Sequence, residues 1–166
     1  MTSRRLNLML AAGSVCVALA LGIRHSFGLF LDPVSMANGW GRETFALAMA
    51  IQNLVWGLAQ PVVGMLADRH GAPRVIALGA CLYAAGLALM AQPLTPGPFM
   101  LAAGVLIGLG LAGTTMPVIF GALARALPPA RRSQAFGVTM AVAAFGQFAM
   151  LPGALSLLDG LGWARA

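Results

Sequence analysis

Five long apolar stretches separated by short charged links make up nearly the whole of this chain. They cover about Leu8–Phe30, Glu43–Leu66, Val75–Pro93, Phe99–Ala124 and Gln134–Leu158. Each runs to roughly 19 to 26 residues, and a helix needs about 20 to cross the hydrocarbon core of a bilayer. None shows the strict polar/apolar alternation of a membrane β-strand, and backbone groups in lipid must be satisfied within helices or closed barrels. The pattern predicts an all-α fold, a polytopic membrane protein with five transmembrane helices.

Composition supports that solvent. Of the 166 residues 60% are hydrophobic and 8% charged, more apolar surface than one water-soluble core can hide. The net charge of +6 is a matter of topology. There is no lysine, and seven of the ten arginines (Arg4, Arg5, Arg69, Arg74, Arg125, Arg131, Arg132) fall before segment one, after segment two or after segment four. Arg42 and Arg165 fall on the other side, and Arg24 lies within segment one. The positive-inside rule then places the N-terminus and the arginine-bearing links in the cytoplasm. Arginines divided among short turns, with no interleaved aromatic platform, argue against a nucleic-acid partner.

Arg4-Arg5 followed by an apolar run and Ala18-Leu19-Ala20 has the outline of a secretory signal. The run continues to Phe30 and four more spans follow, so a first transmembrane helix is the preferred reading. Cys16 and Cys81 lie within spans and lack metal or redox spacing, which makes them packing residues. After segment five, Asp159 to Ala166 reads as a short external loop with an interfacial tryptophan, Trp163. Many transporters nest three-helix repeats into six-helix halves, so five helices suggest an N-terminal piece cut before a sixth.

The link between segments two and three carries the most specific motif. Gly64, Asp68, Arg69 and Gly71, with Arg74 as a later basic position, resemble the loop between helices two and three of the major facilitator superfamily. Ala72-Pro73 departs from the basic residues usual there, which thins the charge network. Arg24 to Phe30, Gly39 to Glu43 and Gln52 to Leu58 look like the monocarboxylate and oxalate/formate branch. The resemblance covers the whole chain. It implies that residues 1–166 are a partial N-terminal half, with the sixth helix and the C-terminal half absent. It also implies a gating loop of Gly64, Asp68, Arg69, Gly71 and Arg74, whose partner helix lies in the second half and whose contact favours an outward-open state. Asp68 just past a helix end can accept backbone donors or face the positive end of another helix; capping a turn is the plainer reading.

Substrate contacts are expected at Arg24, Gln52, Trp56 and Gln60. An arginine within a span costs about 2.5 to 3.5 kcal/mol on the insertion scale and usually faces a cavity. Cys16, Ala20, Arg24 and Gly28 share one helical face, leaving room for a guanidinium whose planar fork suits a carboxylate. Snorkelling to the external interface is equally open, because Phe30 is only about 9 Å away at helical rise. Adjacent His25 points elsewhere, and packing or an interfacial role is the favoured reading. Gln52, Trp56 and Gln60 stand on one face, to line a cavity or to bond another helix. Gly104, Gly108 and Ala112 form a small-residue seam for helix packing. Thr114 and Thr115, just before Pro117, can re-satisfy carbonyls freed by the proline, and a bend is expected there.

Two departures bear on mechanism. Gly104 stands where many proton-coupled relatives place an arginine, and Leu151-Pro152-Gly153 replaces the Gly-Pro of the antiporter motif, which disfavours drug/proton antiport. No Asp or Glu lies in a span away from its ends. The expected function is a secondary active or facilitative transporter of small organic anions, monocarboxylate- or dicarboxylate-like, working by alternating access. The alternative is a five-helix scaffold or subunit that assembles with another chain. No metal cluster, nucleophile arrangement or phosphate loop suggests an enzyme, and no cofactor is expected. The expected partners are the lipid bilayer, a small anionic solute and the missing half, in a membrane of the bacterial inner type.

Overall fold

The computed structural model describes residues 3–164. Those residues form five rods, α1 (Ser3–Asn38), α2 (Arg42–His70), α3 (Ala72–Met90), α4 (Pro96–Ala126) and α5 (Pro129–Leu161). All five are long and apolar enough to cross a membrane, and no strand occurs among the described residues. The chain is an integral membrane protein.

The rods overrun the hydropathic segments. α1 continues through Pro33 to Asn38, because a helix goes on into polar surroundings until its backbone is redirected. The redirection is at Gly39, whose φ of +68° suits glycine. Trp40 N–H then reaches Ser35 O at 3.0 Å and Gly39 N–H reaches Met36 O at 3.3 Å, the Schellman pairing. The charged link shrinks in the same way. Asp68, Arg69 and His70 form the last turn of α2 rather than a loop, where basic side chains favour the negative helix end. Gly71 alone, at φ +91°, separates α2 from α3, with Pro73 in the opening turn of the next helix. At the far end Asp159 stays helical and Gly162, at φ +76°, ends α5.

α4 is the most buried rod and the centre of the bundle, packed against α2 and α3. It is not one regular helix. Met100–Leu106 is wound as a π-helix, and at Thr115 the backbone turns extended, φ −104° and ψ −172°, before Pro117 restarts the helix. The expected bend is therefore present, but the threonine hydroxyls do not serve the Gly113 carbonyl that Pro117 leaves free, and Leu111 O already accepts the Thr115 N–H at 3.1 Å. Thr114 Oγ1 donates to Gly110 O at 2.8 Å, and Thr115 Oγ1 to Leu111 O at 2.6 Å. The seam on α4 is a packing surface, as the spacing suggested. A Cβ on Gly104 would come within 2.8 Å of Ile51, and one on Gly108 within 3.0 Å of the Gln52 carbonyl.

α5 packs mainly along α1. Ser14 Oγ donates to Thr139 Oγ1 at 3.2 Å across this pair, and Thr139 Oγ1 donates to Ala135 O at 2.9 Å. The opposite face of α5 carries Phe145 and Phe148, both exposed, as suits a surface meeting lipid or another membrane helix. Trp163 is half-buried against the main core cluster.

Candidate functional site

Between α1 and α2 lies a cavity of about 380 Å³ bordered by Arg24, His25, Phe27, Leu31, Phe45, Gln52 and Asn53, among others. That volume lies within the usual range for small-molecule sites, about 300 to 1,000 Å³. Its one permanent charge is Arg24. At helical rise Arg24 sits about 9 Å before Phe30, where the apolar run stops, and about 21 Å before Asn38, where α1 ends.

The guanidinium is turned inward and held on two sides. Its Nη2 donates to Asn53 Oδ1, and its central carbon lies 5.0 Å from the centre of the Trp56 ring, within reach of a cation–π interaction. Asn53 is itself oriented, since its Nδ2 donates to Met49 O at 2.9 Å, leaving the amide oxygen for the arginine. Arg24 Nε is buried without a hydrogen-bond partner among the described residues. Among the described residues one of the five guanidinium N–H donors is engaged by a side chain, which leaves donor capacity on the terminal nitrogens for an anion.

The other expected contacts divide. Trp56 stacks on Arg24 and donates from Nε1 to Thr115 Oγ1 at 3.2 Å. Gln52 borders the cavity, yet it is 1% exposed and its Nε2 donates to Ala103 O in the π-helical turn at 2.8 Å. Both uses foreseen for that face, cavity lining and helix bonding, occur in this one side chain. Gln60, one turn past Trp56, is half-buried and does not border this cavity. His25 is exposed, its Nδ1 2.7 Å from Leu21 O. Asn53 and Thr115 are the contacts that sequence reasoning did not assign to this site. Asn53 carried a usable signal, a polar side chain one turn before Trp56 in an apolar span. Thr115 carried none that pointed across to α2.

The charged link forms a second cluster at the opposite end of α2. Asp68 is ion-paired with Arg125 in the last turn of α4, both side chains largely exposed. Arg69, His70 and Arg74 are exposed. Gly71 has a conformational reason to be glycine, whereas a Cβ on Gly64 would meet nothing within 4 Å. Arg132 Nε donates to Leu127 O at 3.1 Å, capping the end of α4. Among the described residues no group of His, Cys, Asp or Glu is placed to hold a metal ion.

Comparison with known proteins adds the following. Probable anion transporter 4, chloroplastic, of Arabidopsis thaliana is 30% identical over 148 residues, which are 84% of this chain and 26% of that protein. Probable anion transporter 3, chloroplastic, of Oryza sativa subsp. japonica is 31% identical over 146 residues, 84% of this chain and 27% of that protein. The chain thus spans about a quarter of the length of these relatives. No solved structure matches it. The sequence model of the Major Facilitator Superfamily matches residues 7–166, and with five membrane-crossing helices beneath that match, this chain belongs to the Major Facilitator Superfamily.

Proposed function

We infer that the chain forms part of one wall of a transporter for small organic anions, in which Arg24 receives the carboxylate and a second half supplies the facing wall. The observation that carries this reading is Arg24 itself. A guanidinium held within the apolar run of α1 against Trp56 and Asn53, at the border of a cavity, is expensive to keep in a membrane without a purpose. The named relatives carry the names probable anion transporter 4 and probable anion transporter 3, which agrees in charge. The narrower class of monocarboxylates and dicarboxylates rests on the stretches around Arg24, Trp40 and Gln52 that resemble the monocarboxylate and oxalate/formate branch.

Transport on this reading is by alternating access, the two halves rocking about a midplane site. Exchange, facilitated diffusion, or coupling through groups outside this chain all fit the lack of an acidic residue away from the ends of the apolar segments. The arginine bias puts the N-terminus in the cytoplasm. We place the chain in a plasma membrane of the bacterial inner type, although the two named relatives are chloroplastic.

The test is uptake of labelled lactate and oxalate into proteoliposomes holding the complete gene product. Arg24→Lys keeps the charge and loses the fork, and should lower uptake at least about ten-fold while inserting normally. Unchanged uptake would remove Arg24 from the site and the anion reading with it.

A further inference from the structure

Trp56 stands between two things that differ in kind: a cation at the cavity and a break in a helix. On one side its ring faces the Arg24 guanidinium at 5.0 Å. On the other its Nε1 donates to Thr115 Oγ1 at 3.2 Å. Thr115 is the residue at which α4 is interrupted, and it is 1% exposed. Its hydroxyl proton is committed to Leu111 O at 2.6 Å, so the oxygen meets the indole as an acceptor. An indole can only donate, and the polarity of the contact is fixed from both ends.

We propose that Thr115 is a positioning residue for the anion site, setting the angle of the Trp56 ring and through it the presentation of the Arg24 guanidinium. This rests on the reading of Arg24 given above and extends it to a residue that does not touch the cavity. The hydroxyl orients one edge of the indole, and the indole face carries the guanidinium. Asn53, three residues before Trp56 on α2, holds Nη2. Two supports from α2 thus fix the plane of the fork, and one of them takes its own orientation from the break in α4. A shift of α4 at Thr115 would move the hydroxyl and turn the ring. It would thereby change the fit of a planar carboxylate without any movement of α1. The break gives the site a mechanical input from the central helix.

The experiment is initial-rate uptake of labelled lactate and oxalate by the complete gene product in proteoliposomes, resolved into KM and Vmax. Thr115→Val removes the acceptor at nearly constant shape, and Trp56→Phe keeps an aromatic face but removes the donor. Each should raise KM about five-fold, the scale of one neutral hydrogen bond, with Vmax changed less than about two-fold. The double variant should be no worse than either single one, because both remove the same bond. Thr115→Ser, which keeps the hydroxyl, should restore the parental KM. A silent Thr115→Val, additive losses in the double variant, or a Thr115→Ser as impaired as Thr115→Val would each overturn the proposal. If Thr115→Val fails to insert, Trp56→Phe against the parent decides: an unchanged KM overturns it. Arg24→Lys separates the two levels. If it abolishes uptake while these variants are silent, only the positioning role falls; if it leaves uptake intact, the anion site falls first.

Discussion

Asp68 in the last turn of α2 is ion-paired with Arg125 in the last turn of α4, two residues that lie 57 positions apart in the chain. The pair brackets α3 and brings the charged ends of two helices together at one end of the bundle. Both side chains are more exposed than buried, so the pair contributes little to stability, about 0.2 to 1 kcal/mol by analogy with other exposed pairs. Its interest lies in what else Asp68 can reach.

Asp68→Asn should therefore leave the thermal midpoint of the purified protein nearly unchanged and impair transport in the complete gene product. Exchanging the charges, Asp68→Arg with Arg125→Asp, separates two roles. If Asp68 also engages a helix outside this chain in one state of the cycle, the exchange should restore the ion pair and leave uptake low. Full recovery of uptake would reduce Asp68 to a tie between α2 and α4.

Gln52→Leu tests the clamp on the π-helical turn. The substitution fits the volume, but it removes the donor to Ala103 O, and interhelical hydrogen bonds in membranes are worth roughly 0.6 to 2 kcal/mol. A loss of about 1 kcal/mol in unfolding stability is expected, with faster amide hydrogen exchange confined to residues near Met100–Leu106. Unchanged exchange in that stretch would show that the π turn holds itself.

α3 and α4 approach closely at the level of the backbone. A Cβ on Gly79 would lie 2.9 Å from Gly113 Cα, a backbone atom that cannot swing away. Gly79→Ala should destabilise the protein by about 1 to 3 kcal/mol, as overpacking does. Gly137→Ala on α5, where a Cβ meets nothing within 4 Å, should stay within about 1 kcal/mol. Equal unfolding midpoints for the two variants would contradict the packing of α3 on α4.

Membrane sidedness can be read with an impermeant maleimide after replacing Cys16 and Cys81 by Ala. Single cysteines at Arg69 and Arg131 should label from the cytoplasmic side, and one at Arg42 from the opposite side. Labelling of residues 69 and 131 from different sides would break the five-span topology.

Much of this was legible in the chain. Hydropathy alone located five spans and their helical nature. The glycines, Asp68 and Arg69 of the link marked the family. Arg24 stood out because charge within a span is costly. Thr114, Thr115 and Pro117 announced the bend in α4. The helix ends were less legible. The apolar run stops at Phe30 while α1 continues to Asn38, since hydropathy measures where lipid ends and says nothing of where a backbone must turn. The last charged turn of α2 was mistaken for loop for the same reason.

What the sequence determined by itself is the solvent each segment prefers, because that preference belongs to each residue singly and survives in any arrangement of the helices. The tertiary structure decided which polar groups meet. Arg24 finds Asn53 29 residues away, Gln52 finds Ala103 at 51, and Trp56 finds Thr115 at 59. Such pairings depend on the rotation and depth of one helix against another. Those are fixed by the fit of small residues such as Gly79, Gly104, Gly108 and Gly113, in a membrane where packing and interhelical hydrogen bonds, and not the hydrophobic effect, hold helices together.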